Sequence, residues 1–126
     1  MTKPAILITR AIFPEVLEQL GQHFSVESNQ DDVMWSPAEL VQRLQGKVGA
    51  FMTGTEKVNA ELLAQCSQLR LCANMTVGYN NFDLAAMTAA GVLGTNAPDV
   101  LTETTADFGF ALLMATARRV CESEHY

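Results

Sequence analysis

Five short apolar runs alternate with helical segments along the first 96 residues, and that alternation leaves few folds open. "AILIT" (5–9) is a continuous apolar run ending in a polar turn, as a strand covered on both faces reads. "PEVLEQLGQHF" (14–24) follows with Val16, Leu17, Leu20 and Phe24 at helical spacing and Pro14 where a first turn accepts proline. "FSVES" is a weaker second strand. "SPAELVQRLQG" (36–46) carries a full helix signature, with Ser36 as cap, Pro37 and Glu39 in the first turn and Gly46 at the end.

The pattern then repeats. "VGAFMTG" (48–54) reads as a strand and "NAELLAQCSQ" (59–68) as a helix capped by Asn59. "LRLCANM" (69–75) is a fourth strand, "DLAAMTAAG" (83–91) a helix capped by Asp83 and stopped by Gly91, and "VLGTN" (92–96) a fifth strand. Strand–helix alternation implies parallel β-α-β units with right-handed crossovers, hence an α/β, doubly wound, flavodoxin-like sheet. After Pro98, "DVLTETTADFGFALLMATARRV" has no breaker except Gly109 and reads as one long helix over about 102–120. Thr102 or Thr104 is its expected cap. Ala106, Phe110, Leu113, Ala117 and Val120 form one apolar stripe, and Phe108, Leu112 and Ala115 another, so the helix expects cover on more than one side.

Composition narrows the function. Eight Lys and Arg against fourteen Asp and Glu give a net charge of −6, and no basic stripe exists, so nucleic acid is excluded as a partner. The longest apolar run, 108–117, is well short of the roughly 20 residues a membrane span needs, and the amino terminus lacks a signal-peptide pattern. Cys66, Cys72 and Cys121 are odd in number and fit no metal-binding spacing. Reduced thiols in a cytoplasmic protein is the plain reading.

In open α/β sheets, ligands sit beyond the carboxyl ends of the strands. Three loops therefore matter: after Thr9, around Thr53-Gly54-Thr55, and "MTVGYNNFD" (75–83). In the third, Gly78 lets a ligand approach the backbone, and the amides of Val77, Gly78 and Tyr79 suit a small anion such as a carboxylate. The competing reading is a β-α turn whose Gly, Asn and Asp serve only geometry and capping. No G-x-G occurs anywhere, so the dinucleotide fingerprint is absent. His23 and His125 have no catalytic partner at a telling spacing, the methionines are spread as core filling, and Arg10 reads as a surface residue. A phospho-receiver is rejected, because "ITRAIF", "FMTGTE" and "GTNAPD" lack its charged residues.

The segment "NMTVGYNNFDLAAMTAAGVLGTNAPDVLTETTADFGFALLMATARR" resembles the D-isomer-specific 2-hydroxyacid dehydrogenases, in particular the glyoxylate/hydroxypyruvate reductase branch. The resemblance is specific over 69–120 and matches in element order over 1–68. It implies a substrate-binding domain over 1–98 and, over 99–126, the long helix that opens the NAD(P)-binding domain and forms the dimer interface. It also implies that Val77 and Gly78 hold the carboxylate of a 2-oxo or 2-hydroxy acid. Met52, Thr53, Gly54 and Leu101 would line the cleft, and Thr105 would lie near the nicotinamide-side phosphate. The family's catalytic Arg, Glu and His and its Rossmann cofactor domain fall beyond Tyr126. The expectation is therefore a truncated, inactive substrate-binding part of an NAD(P)-dependent reductase, binding no cofactor or metal itself and forming a homodimer through helix 102–120. The alternative is a catalytically dead flavodoxin-like binding or dimerisation module. Asn80 and Asp107 depart conservatively from the family's commoner Asp and Glu.

Overall fold

The computed structural model describes residues 2–124. Strands β1 (Ala5–Ile8), β2 (Ser25–Ser28), β3 (Gly49–Met52), β4 (Leu71–Asn74) and β5 (Leu93–Thr95) form one sheet in the order β2-β1-β3-β4-β5. Every neighbouring pair is parallel, with Leu7 opposite Glu27 and Ala50, and Ala50 opposite Cys72. The chain steps one way from β1 to β2 and the other way thereafter. Right-handed crossovers then place α1 (Pro14–His23) on one face and α2 (Pro37–Leu44), α3 (Ala60–Gln65) and α4 (Leu84–Ala90) on the opposite face. The expected doubly wound α/β sheet is what the chain forms.

Strand parity decides where the core sits. Leu7, Ala50, Met52 and Cys72 point toward α2–α4 and pack with Leu40, Leu44, Leu62, Leu63, Phe82 and Met87. The other face is covered only in part: Ile6, Phe51, Leu71 and Ala73 line a shallow apolar hollow with Leu20 and Phe24 of the α1 side. At its far edge Leu93 is 70% exposed.

Helix ends follow the sequence signals. Ser36 and Glu39 form a full capping box, Asn59 Oδ1 accepts from Leu62 N at 3.0 Å, and Asp83 Oδ1 accepts from Ala86 N at 3.0 Å. Each such cap contributes about 1 kcal/mol. Gly91 ends α4 in the left-handed region, at φ 67°, which a residue with a Cβ adopts only under strain.

The terminal helix departs from expectation at both ends. α5 spans Thr102–Ala117, and its cap is Leu101, with no side-chain hydrogen bond from Thr102 or Thr104. It stops short of Val120 because Arg119 turns left-handed, at φ 51°. A separate turn, α6 (Val120–Ser123), starts there, with the Arg119 carbonyl accepting from Glu122 N, Ser123 N and Ser123 Oγ. The Arg119 guanidinium pairs with the Glu122 carboxylate. Local bonds overrode an apolar stripe that continues unbroken in the sequence. Nor does α5 lie back on the sheet: none of its residues is buried, and Phe108 and Phe110 are both 64% exposed. Among the described residues no helix is long and apolar enough to cross a membrane.

Candidate functional site

The carboxyl ends of β1, β3 and β4 converge on one edge of the sheet. After β1, Thr9 is buried and donates both its N–H, at 3.0 Å, and its hydroxyl, at 3.4 Å, to the Phe51 carbonyl. Arg10 follows, and it is not a free cation. Its Nε and Nη2 donate to the two oxygens of Asp32 at 2.8 and 3.0 Å, and Ala11 N adds a third bond at 3.0 Å. The hydrogen bonds from Arg10, then that from Ala11, hold the Asp32 carboxyl down at about 2, and the same pairing raises the Arg10 guanidinium. The pair is close to neutral toward an anion in the cleft.

After β3, the chain turns at Gly54 with φ +92°, and a Cβ there would come within 3.2 Å of Thr76 Oγ1. Glu56 folds back on this turn, accepting from Thr53 N at 3.1 Å and Thr55 Oγ1 at 2.9 Å. Met52, expected at the cleft, is fully buried in the core, since strand parity sends its side chain toward the helices. It contributes only its carbonyl, which accepts from Met75 N at 2.9 Å.

The loop after β4 is held from below by asparagines. Asn74, almost fully buried, donates to Asn81 Oδ1 at 2.7 Å and to the Gly78 carbonyl at 3.2 Å. Asn81 donates to the Glu56 carbonyl at 2.9 Å, and a parallel bridge joins Val58 to Phe82. The β3 and β4 loops are thus one frame. On that frame Val77 is 42% exposed and Gly78 is exposed, with nothing within 4 Å of where a Cβ would stand. Gly78 keeps an ordinary negative φ, so its use here is open space, not left-handed freedom. The N–H groups of Val77, Gly78 and Tyr79 donate to no described residue. A small carboxylate needs such a set of amides.

The loop that carries Thr53 and Gly54 therefore stands beside the loop that carries Val77 and Gly78. Leu101 and Thr105 stand apart from that frame in the chain, exposed at the start of α5. The amide frame made by Asn74 and Asn81 escaped sequence reading, because asparagine in a loop signals a turn far more often than a brace. A groove of about 810 Å³ lies elsewhere, between α2 and α3, and is lined by Trp35, Val41, Lys57, Glu61 and Leu62. The Arg43 guanidinium stacks 4.3 Å from the centre of the Trp35 ring, at the base of α2. Among the described residues no three metal-ligating side chains gather.

Residues 6–123 match the D-isomer specific 2-hydroxyacid dehydrogenase catalytic domain. The chain belongs to this family. Within the family, it is 39% identical to a glyoxylate reductase of Aeropyrum pernix, over 100% of this chain and 38% of that protein. It is 37% identical to glyoxylate/hydroxypyruvate reductase B of Klebsiella pneumoniae, over 95% of this chain and 37% of that protein. Among solved structures, an NADPH-dependent glyoxylate/hydroxypyruvate reductase from Sinorhizobium meliloti, in complex with citrate, superposes with a TM-score of 0.78 at 31% identity. The match covers 98% of this chain and 38% of that one. A Thermus thermophilus protein superposes at 0.84, with 35% identity, over 97% of this chain and 39% of that one. This member of the 2-hydroxyacid dehydrogenase family thus spans a little under two fifths of the length of the relatives it matches.

Proposed function

We propose that this chain is the substrate-binding part of an NAD(P)-dependent D-2-hydroxyacid dehydrogenase that reduces glyoxylate- or hydroxypyruvate-type 2-oxo acids. The observation that carries this reading is the run of unpartnered amides at Val77 and Gly78, on a frame braced by buried asparagine, in a chain whose relatives are glyoxylate reductases. In this reading Val77 N and Gly78 N hold the acid's carboxylate, Thr53 and Gly54 border it, and Leu101 shields its far side. Residues 1–98 form the substrate domain and 99–126 the start of the cofactor side. A bound nicotinamide cofactor supplies the hydride. In this reading Thr105, exposed on α5, would stand toward the cofactor's phosphate.

Among the described residues Arg10, the cation that follows β1, is committed to Asp32 and is not free to meet an anion. A 2-oxo acid held by amides alone binds at millimolar concentration or weaker, about 4 kcal/mol or less. Among the described residues the carboxylate at the β3 turn, Glu56, is taken up by Thr53 and Thr55 and is not free to serve the carbonyl as an acid or base, so in this reading the chain alone turns over no NADH or NADPH. The setting is cytoplasmic, in keeping with three unpaired thiols.

A second reading, a flavodoxin-like binding or dimerisation module, is favoured by one observation, the apolar and exposed α5. Ligand-observed NMR separates the two. Hydroxypyruvate signals broaden on adding millimolar chain, and the unreactive analogue oxamate reverses the effect, if the first is right. Unchanged signals leave only the module.

A further inference from the structure

The direction in which the Val77 and Gly78 amides point is set by a segment outside their own loop. Ala97 N donates to the Thr76 carbonyl at 3.0 Å. Asn96 Nδ2 donates to the next carbonyl, that of Val77, at 2.8 Å. Two successive carbonyls therefore turn toward the same two residues, just past β5. In an extended strand successive carbonyls would point to opposite sides. The chain bends over residues 75–77, and that bend brings both round to one side.

The peptide plane supplies the consequence. No peptide bond among the described residues is cis. In a trans peptide the N–H of one residue points opposite to the C=O of the residue before it. The Thr76 carbonyl fixes Val77 N–H, and the Val77 carbonyl fixes Gly78 N–H. With both carbonyls drawn toward Asn96 and Ala97, both N–H groups point away from that segment, side by side. The next carbonyl, that of Gly78, is held by Asn74 Nδ2 at 3.2 Å and Thr76 Oγ1 at 2.9 Å, which stops the Gly78–Tyr79 peptide from swinging back.

We infer that Asn96 is a positioning residue, whose side-chain amide locks the Val77–Gly78 peptide so that two consecutive N–H groups converge on one carboxylate. Ala97 makes its contact through the backbone, so any residue except proline supplies it. Asn96 makes its contact through the side chain, and only a donor of that reach supplies it. The side chain touches no anion itself; it acts through the peptide it holds. The inference rests on the proposed binding of a 2-oxo acid at Val77 and Gly78, and it adds the residue on which that binding depends.

Oxamate titrations of the chain and of its Asn96→Ala and Asn96→Asp variants, followed by amide NMR, test it. Aspartate keeps the shape of asparagine and removes the donor. Both variants should bind oxamate about tenfold more weakly, the factor that corresponds to about 1.4 kcal/mol of lost charge-assisted hydrogen bonding. In both, the dipolar coupling of Gly78 N–H should change while couplings in β3 and β4 hold, a signature that mere loss of stability does not give. Full-strength oxamate binding by a folded Asn96→Ala chain overturns the inference, as does an unmoved Gly78 N–H. If the variants do not fold, the parent chain decides: a scalar coupling across the bond from Asn96 Nδ2 to the Val77 carbonyl carbon is expected, and its absence refutes the lock. Oxamate that fails to bind the parent chain removes the substrate reading, while that same coupling still tests whether Asn96 fixes the peptide.

Discussion

Asn74 and Asn81 exchange side-chain amides, at 2.7 Å in one direction and 3.3 Å in the other, and this pair ties the end of β4 to the far side of the loop that follows it. Asn81 passes the tie on to the Glu56 carbonyl. Replacing Asn81 with alanine leaves buried Asn74 without its partner, at a cost of about 1–3 kcal/mol. Urea unfolding of Asn81→Ala should show that loss. A variant as stable as the parent would mean that the pair braces nothing.

Acid should loosen the loop after β1. The Asp32 carboxyl is held at about 2 against an ordinary value of 3.8, because it accepts from Arg10 and Ala11. A lowered folded-state value means that the stabilisation is fully present above about pH 4 and is lost as pH falls toward 2. Glu27, held down by Lys47 and Arg43, and Glu39, held down by Ser36, add to the same acid limb. Unfolding measured between pH 5 and pH 2.5 should therefore fall less steeply for Asp32→Asn than for the parent, with part of the slope retained. An identical slope would contradict the Arg10–Asp32 pairing.

Most of the fold could be read from the sequence because its signals are local. Ser36, Asn59, Asp83 and Gly91 act within one helical turn of themselves, and each does in the structure what its position implies. The end of α5 could not be read so, because arginine carries no stop signal and the left-handed Arg119 rests on bonds to Glu122 and Ser123. Met52 illustrates a different limit. A resemblance placed it at the cleft, whereas the alternation of its strand puts its side chain in the core and leaves only its carbonyl at the loop. The brace beneath Val77 and Gly78 joins residues 74, 81 and 96, whose spacing has no period, so only the folded chain reveals it.

The three thiols should divide sharply in reactivity. Cys66 and Cys72 are buried, and burial, with Cys66 alongside, pushes the Cys72 thiol up to about 12. Cys121 is exposed on α6. A thiol reagent at pH 8 should consume one equivalent quickly and the other two only after denaturant is added. Rapid reaction of all three would mean that the sheet opens far more readily than its packing implies.

Helix α5 should bring two chains together. Phe108, Phe110, Leu112 and Leu113 are each more than half exposed, and covering a large apolar side chain is worth about 1.5–3 kcal/mol. Light scattering at micromolar concentration should return the mass of a dimer, and Phe110→Asp that of a monomer. A monomer mass for the parent chain would end the proposal of a homodimer through this helix.

If the amides of Val77 and Gly78 hold the carboxylate, a 2-oxo acid must bind at those two residues. The measurement is a titration of the nitrogen-15-labelled chain with glyoxylate into the tens of millimolar, following every backbone amide. The largest saturating shifts should fall on Val77 and Gly78, with smaller ones at Thr53, Gly54 and Tyr79. Shifts centred instead on the groove of Trp35 and Lys57, or spread without a focus, would contradict that binding.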